Sequence, residues 1–124
     1  MKLFGTDGIR GEYGIYPLDN STIRKIGTVL SEIYSKNISK FYIAHDGRAS
    51  HIVIYQELVK GIMSSKDFDI IFLDLLPTPS LPYILSEEKQ KDAMGIQITA
   101  SHNPYTDNGL KIFDSSGYKI SEIK

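Results

Sequence analysis

The sequence predicts an α/β domain in three layers (α/β/α), with helices on both faces of a mixed, mostly parallel sheet. Short apolar runs of strand length alternate along the chain with stretches whose apolar residues recur at helical spacing, and that alternation builds a sheet between helix layers. Turn chemistry near the end adds at least one antiparallel strand. With 124 residues the chain has room for one domain with a real core and too little for two ordinary ones.

Residues Phe4 to Gly11 read Phe-Gly-Thr-Asp-Gly-Ile-Arg-Gly, with glycine at every third position. No helix pattern follows directly, so this is not the dinucleotide fingerprint. A loop is expected, in which glycines let a ligand approach the backbone closely and Arg10 offers a fork of donors to a phosphate or carboxylate. A plain N-terminal loop with a solvated arginine fits the same residues. Asp19 or Asn20 caps a helix with apolar positions Ile23, Ile26, Val29, Leu30 and Ile33, which leaves at Ser35-Lys36-Asn37. Phe41 to Ala44 is a short strand, followed by the polar turn His45-Asp46-Gly47-Arg48-Ala49-Ser50. A second helix spans about His51 to Met63, with Ile54, Leu58, Ile62 and Met63 inward. Phe68 to Leu73 reads as a strand covered on both sides, because it is mostly apolar. Leu76-Pro77-Thr78-Pro79-Ser80 breaks it before a short helix over Leu81 to Glu87.

Asp92-Ala93-Met94 leads into a third core strand, Gly95 to Thr99, in which Ile96 and Ile98 alternate with Gln97 and Thr99. It stops in Ala100-Ser101-His102-Asn103-Pro104, because proline donates nothing to a ladder. Ser101, His102 and Asn103 therefore fall on a loop at a strand's end, where reactive groups are commonly displayed. The same residues also suit a simple turn. Asn108-Gly109, in Tyr105 to Gly109, is expected to reverse the chain. Leu110 to Phe113 returns as a strand, Asp114 to Ile120 closes a small hairpin, and Ser121 to Lys124 has the look of a capped first helical turn. One turn alone is not stable, so a fragment of a longer protein is expected.

Composition narrows the function classes. Apolar residues make up 41%, charged residues 23%, and the net charge is −1, as in ordinary soluble globular proteins. No apolar run approaches bilayer length and no signal-peptide core follows Met1, so neither a membrane nor a secretory route is expected and the cytoplasm is the default. Basic residues are scattered among acids, leaving no footprint for nucleic acid. The chain has no cysteine, which removes disulfides and thiolate metal sites.

Ser101 beside His102 invites a hydrolase reading, yet Thr99 and Asn103 stand where a nucleophile elbow needs glycines. Neighbours in extended backbone also point apart. His45, His51 and His102 lack the spacing of a zinc motif, and no EF-hand or Walker loop is present. Phosphoryl transfer suits the residue types better, since it needs cations, a proton handler and an oxygen that can carry the group. Arg10 and Lys111 supply the cations, His102 the proton handler and Ser101 the oxygen. A phosphoserine at Ser101 would itself be able to ligate Mg²⁺.

At this point the residues resemble a known family. Phe4 to Gly11, Asp46-Gly47-Arg48-Ala49-Ser50, Pro77-Thr78-Pro79, Thr99 to Pro104 and Asp107-Asn108-Gly109-Leu110-Lys111 are similar, in order, to motifs of the α-D-phosphohexomutases, and within them of the bacterial phosphoglucosamine mutases. The resemblance implies that residues 1–124 are the phosphoserine-bearing first domain of a four-domain isomerase interconverting glucosamine 6-phosphate and glucosamine 1-phosphate. It implies Ser101 as phosphoryl carrier through a bisphosphate intermediate, Arg10 and Lys111 as residues that stabilise the group and assist proton transfer, and His102 as an ordering residue. It further implies one Mg²⁺ held by the phosphoserine and by aspartates of another domain, and a hexosamine or hexose 1,6-bisphosphate activator. The implied partners are a phosphosugar and the remaining domains of the enzyme, with room for a homodimer. Gly47 stands where the family usually has threonine, and His51 where it has glycine. The family's Asp-Gly-Asp metal motif, sugar loop and terminal phosphate loop have no counterpart in this sequence. No mutase activity is expected from these residues alone. Two alternatives stay open: a phosphoglucomutase or phosphomannomutase domain, and a stand-alone, non-enzymatic domain that binds phosphorylated ligands.

Overall fold

The computed structural model describes residues 8–64, 66–77, 80–99 and 106–120. Their elements follow in the order β1 (Ile9–Glu12), α1 (Asn20–Tyr34), β2 (Lys40–His45), α2 (His51–Ile62), β3 (Asp69–Leu75), α3 (Ser80–Glu87), β4 (Ala93–Ile98) and β5 (Asp107–Phe113). They form one sheet in the order β1-β5-β4-β2-β3. β2 pairs in parallel with β3 and β4, while β5 runs antiparallel to β4 and to β1. Only β5 therefore opposes the common strand direction, and the expected mixed, mostly parallel sheet is present.

Alternation along β4 sorts the core into two layers. Met94, Ile96 and Ile98 join Ile23, Ile26 and Leu30 of α1 and Ile54, Leu58 and Ile62 of α2 on one face. Ala93 and the gap left by Gly95 receive Leu81 and Leu85 of α3 on the other. That second layer is thinner, and it holds Tyr42, whose hydroxyl donates to the Glu88 carboxylate. The hydrogen bond pushes the Tyr42 pKa up to about 12, so the phenol remains a donor at any physiological pH.

α1 begins where expected. Asp19 is extended (φ −80°, ψ 154°) and its carboxylate accepts the Thr22 amide at 3.2 Å, satisfying one of the helix's unpaired donors. Its buried stripe runs Ile23, Ile26, Gly27, Leu30, Ser31, and Ile33 is 43% exposed rather than inward. The reason is Gly27. A Cβ there would lie 2.5 Å from the Leu58 carbonyl oxygen, and one at Gly61 would lie 2.0 Å from the Arg24 carbonyl oxygen. The two helices cross backbone to backbone at these glycines, which turns the buried stripe of α1 toward Gly27 and away from Ile33. Arg24 and Glu57 close the same crossing, with Arg24 Nη2 2.8 Å from Glu57 Oε2. Met63 likewise lies outside the inward face expected of it; it follows α2, is partly exposed, and its sulfur accepts the Phe68 amide at 3.4 Å.

Other expectations fall differently. β3 is not covered on both sides; it is an edge strand, with Phe72 42% and Leu75 63% exposed. Its pairing with β2 slips by a residue at Leu73, and Asp74 takes a positive φ of 64°, a bulge of the kind that interrupts sheet edges. The glycine-rich start, expected as a loop, is from Ile9 onward strand β1, because β5 offers it an antiparallel edge. Asn108-Gly109 does not make the reversal but lies inside β5. The small hairpin closes as expected, with Asp114 N–H donating to Tyr118 O at 2.8 Å and Ile120 N–H to Ile112 O at 2.7 Å. The capped turn proposed at 121–124 lies outside the described residues.

Candidate active site

β5 brings the two expected cations together. Arg10 pairs with Gly109 across the β1–β5 ladder, and Lys111 pairs with Gln97 across the β4–β5 ladder. Residues two apart on a strand share a face, so Gly109 and Lys111 point the same way. Arg10 joins them, because a Cβ built at Gly109 would stand only 2.6 Å from the Arg10 Cβ. Diagonal neighbours of this kind lie ~7–8 Å apart at the backbone, within reach of two long side chains. The asparagine–glycine pair thus has a purpose other than a turn. Glycine at 109 is required by close approach, since its Cβ would also lie 2.4 Å from Ile9 O and 2.8 Å from Thr99 O.

The same face continues into β4 as Gln97 and then Thr99, both fully or nearly fully buried. Thr99 is the last described residue before the segment that carries Ser101 and His102, which themselves lie outside the described residues. Its amide donates to Gly109 O at 2.9 Å and its hydroxyl to Asp46 Oδ2 at 2.7 Å. Arg48 Nε donates to the same Asp46 oxygen at 3.1 Å, and Arg48 Nη1 to Asp107 O at 3.2 Å. Asn108 is fully buried, with its Nδ2 donating to Ser50 Oγ at 2.9 Å and its Oδ1 accepting the Gly109 amide at 2.9 Å. The polar turn at 46–50 is thereby tied to both sides of the 100–105 segment. Gln97 Nε2 donates to Leu76 O at 3.1 Å, anchoring the chain that leaves β3. None of these supporting roles follows from residue type. The motif Asp46-Gly47-Arg48-Ala49-Ser50 was the signal that could have pointed to them.

Two of the histidines, His45 and His51, meet each other. His45 ends β2 on the α2 side of the sheet, where its ring stacks on His51 with centroids 3.6 Å apart and planes 6° from parallel. The Gly47 amide donates to His45 Nδ1 at 2.9 Å, which leaves the proton on Nε2 facing Asp74 Oδ1 at 2.8 Å. His51 Nδ1 sits 2.8 Å from Arg48 O at the start of α2. The residues that depart from the family pattern therefore have local work: Gly47 takes a φ of 94°, and His51 props His45. Among the described residues no group of three or more His, Cys, Asp or Glu gathers to hold a metal ion. The described part of the chain does not by itself fit a Mg²⁺ site. Among them, too, no helix is long and apolar enough to cross a membrane.

Fold and site define an α/β/α domain whose paired cations flank the end of a central strand. A family model described as phosphoglucomutase/phosphomannomutase, alpha/beta/alpha domain I, matches residues 1–124, and the chain belongs to that family. Curated relatives named phosphoglucosamine mutase include one from Syntrophotalea carbinolica, 40% identical over 124 residues, and one from Bdellovibrio bacteriovorus, 41% identical over 128 residues. Each match covers 98% of this chain and 26% or 27% of the relative, so the chain spans about a quarter of their length. A solved phosphoglucomutase/phosphomannomutase family protein from Burkholderia thailandensis superimposes with a TM-score of 0.78 at 27% identity, covering 96% of this chain and 27% of that one.

Proposed function

We propose that residues 1–124 are the phosphoryl-carrying first domain of a phosphoglucosamine mutase, with Ser101 as the carrier. One observation supports this most: the strand register puts Arg10 and Lys111 on one face of the sheet beside Thr99, two residues before Ser101. The names of the relatives at 40% and 41% identity supply the amino-sugar substrate class.

In this reading Ser101 Oγ holds the phosphoryl group at rest. A hydroxyl of glucosamine 6-phosphate attacks the phosphorus, the bond to Ser101 Oγ breaks, and a bond to the sugar oxygen forms. The sugar proton passes to a nearby base, and the bisphosphate then turns over to return its other phosphoryl group to Ser101. Arg10 and Lys111 neutralise charge that builds on the moving group, which counts for most where water is excluded. His102 orders the carrier. A phosphoserine at 101 would be the one ligand from this chain to a Mg²⁺ held mostly by residues outside it, which would offset the negative charge of the phosphoryl group. Such an enzyme works in the cytoplasm, with a 1,6-bisphosphate to prime Ser101, and feeds amino-sugar and cell-wall precursor synthesis.

The likeness to the Burkholderia protein supports a second reading, a phosphoglucomutase or phosphomannomutase, with the same carrier chemistry on a neutral sugar. An assay of the complete gene product carrying this sequence separates them. Faster turnover of glucosamine 6-phosphate than of glucose 1-phosphate is expected; the reverse order moves the protein to the second reading, and no turnover of either sugar sinks both.

A further inference from the structure

We propose that Asp46 is a positioning residue for the transfer step: through Thr99 it fixes the end of the strand that leads to Ser101 relative to Arg10 and Lys111. This rests on the reading of Ser101 given above. The parallel register pairs His45 of β2 with Ile98 of β4, so the residues that follow, Asp46 and Thr99, emerge side by side. The Asp46 amide confirms the alignment by donating to Ile98 O at 3.2 Å. From there the Asp46 carboxylate takes the Thr99 hydroxyl at 2.7 Å and Arg48 Nε at 3.1 Å on the same oxygen. Charge-assisted bonds of this sort are about twice as strong as neutral ones and hold direction well.

Arg48 then spans to Asp107 O, on the far side of the 100–105 segment, and Ser50 meets Asn108 next to it. Thr99 also binds Gly109 O, and Gly109 is the residue opposite Arg10. One carboxylate therefore connects both ends of the segment carrying Ser101 to the strand that carries Lys111. The Asp46 carboxylate accepts from Thr99 and Arg48, and it acts through them. Its effect belongs on the rate of transfer rather than on sugar binding, because misplacing a reacting group by about 1 Å costs up to about 100-fold.

The test uses the complete enzyme with Thr99→Val, which keeps the shape and deletes the hydroxyl, Thr99→Ser, which restores it, and Asp46→Asn, which removes the charge. Thr99→Val and Asp46→Asn are expected to lower kcat by about 10- to 100-fold, with KM for the sugar phosphate within about twofold of wild type. Thr99→Ser is expected to recover most of kcat. Should Thr99→Val fail to fold, Asp46→Asn decides by the same split. Wild-type kcat in the folded variants, an equal loss in Thr99→Ser, or a change confined to KM or to melting temperature overturns the inference and leaves Ser101 as carrier. A wild-type enzyme without turnover removes the reading it rests on, and the inference with it.

Discussion

Lys111 and Arg10 owe their proximity to a missing side chain. Any Cβ at residue 109 would collide with Ile9 O, Thr99 O and the Arg10 Cβ, so glycine lets β1, β5 and the end of β4 converge on the face that carries both cations. Replacing Lys111 or Arg10 by alanine in the complete enzyme is predicted to lower kcat by roughly 10²- to 10³-fold, as for the loss of one donor to developing charge; steady-state kinetics check it, and near-wild-type rates contradict it. That these residues are cations fit for phosphate was legible from their types. That they share a face was not, because it depends on the β1–β5 register, a pairing between residues about a hundred positions apart. The half-buried Asp46 and the buried Arg48 and Asn108 were illegible for the same reason, since a polar residue in a turn reads as solvated until its distant partner is known.

Among the elements, α1 and α2 carry the clearest energetic signature. Gly61→Ala would push a methyl group into the Arg24 carbonyl, 2.0 Å away, and overpacking of this kind costs about 1–3 kcal/mol. The gain in helix propensity, up to about 1 kcal/mol, offsets only part of it. A lower melting temperature by several degrees is predicted in thermal denaturation, and an unchanged or higher midpoint would refute the crossing. Glu57 gives the pH dependence. The Arg24 hydrogen bond, helped by Lys60 and opposed by burial, holds its carboxyl below the usual glutamate range. A depressed folded pKa stabilises above the unfolded value and is lost as pH falls through the folded one, so this contribution is whole above about pH 5 and fades below about pH 4. Melting temperature measured from pH 7 to pH 3 is predicted to fall less steeply in Arg24→Leu than in wild type. Periodicity located both helices and the Asp19 cap. It counted Ile33 among the apolar positions of α1, yet Ile33 is exposed because Gly27, with no side chain to count, sets the crossing. The strand β3 misled in another way: an apolar composition says how a strand tolerates burial, not whether it sits at an edge.

For the whole molecule, the chain amounts to about a quarter of its phosphoglucosamine mutase relatives. Within the proposed function, residues 1–124 alone are predicted to fold yet show no turnover of glucosamine 6-phosphate, because the sugar and most of the metal site belong to other domains; turnover by the purified domain would contradict that. Alternating strand and helix patterns made the layered architecture legible from the start, while the strand order required the long-range pairings of β5. The central claim is that Ser101 carries the phosphoryl group. Its most direct test is to incubate the complete protein with glucose 1,6-bisphosphate labelled in its phosphates, digest it, and locate the label by mass spectrometry. The account predicts label on the peptide containing Ser101, at that serine, and none in Ser101→Ala; label on another residue, or label that survives Ser101→Ala, would contradict it.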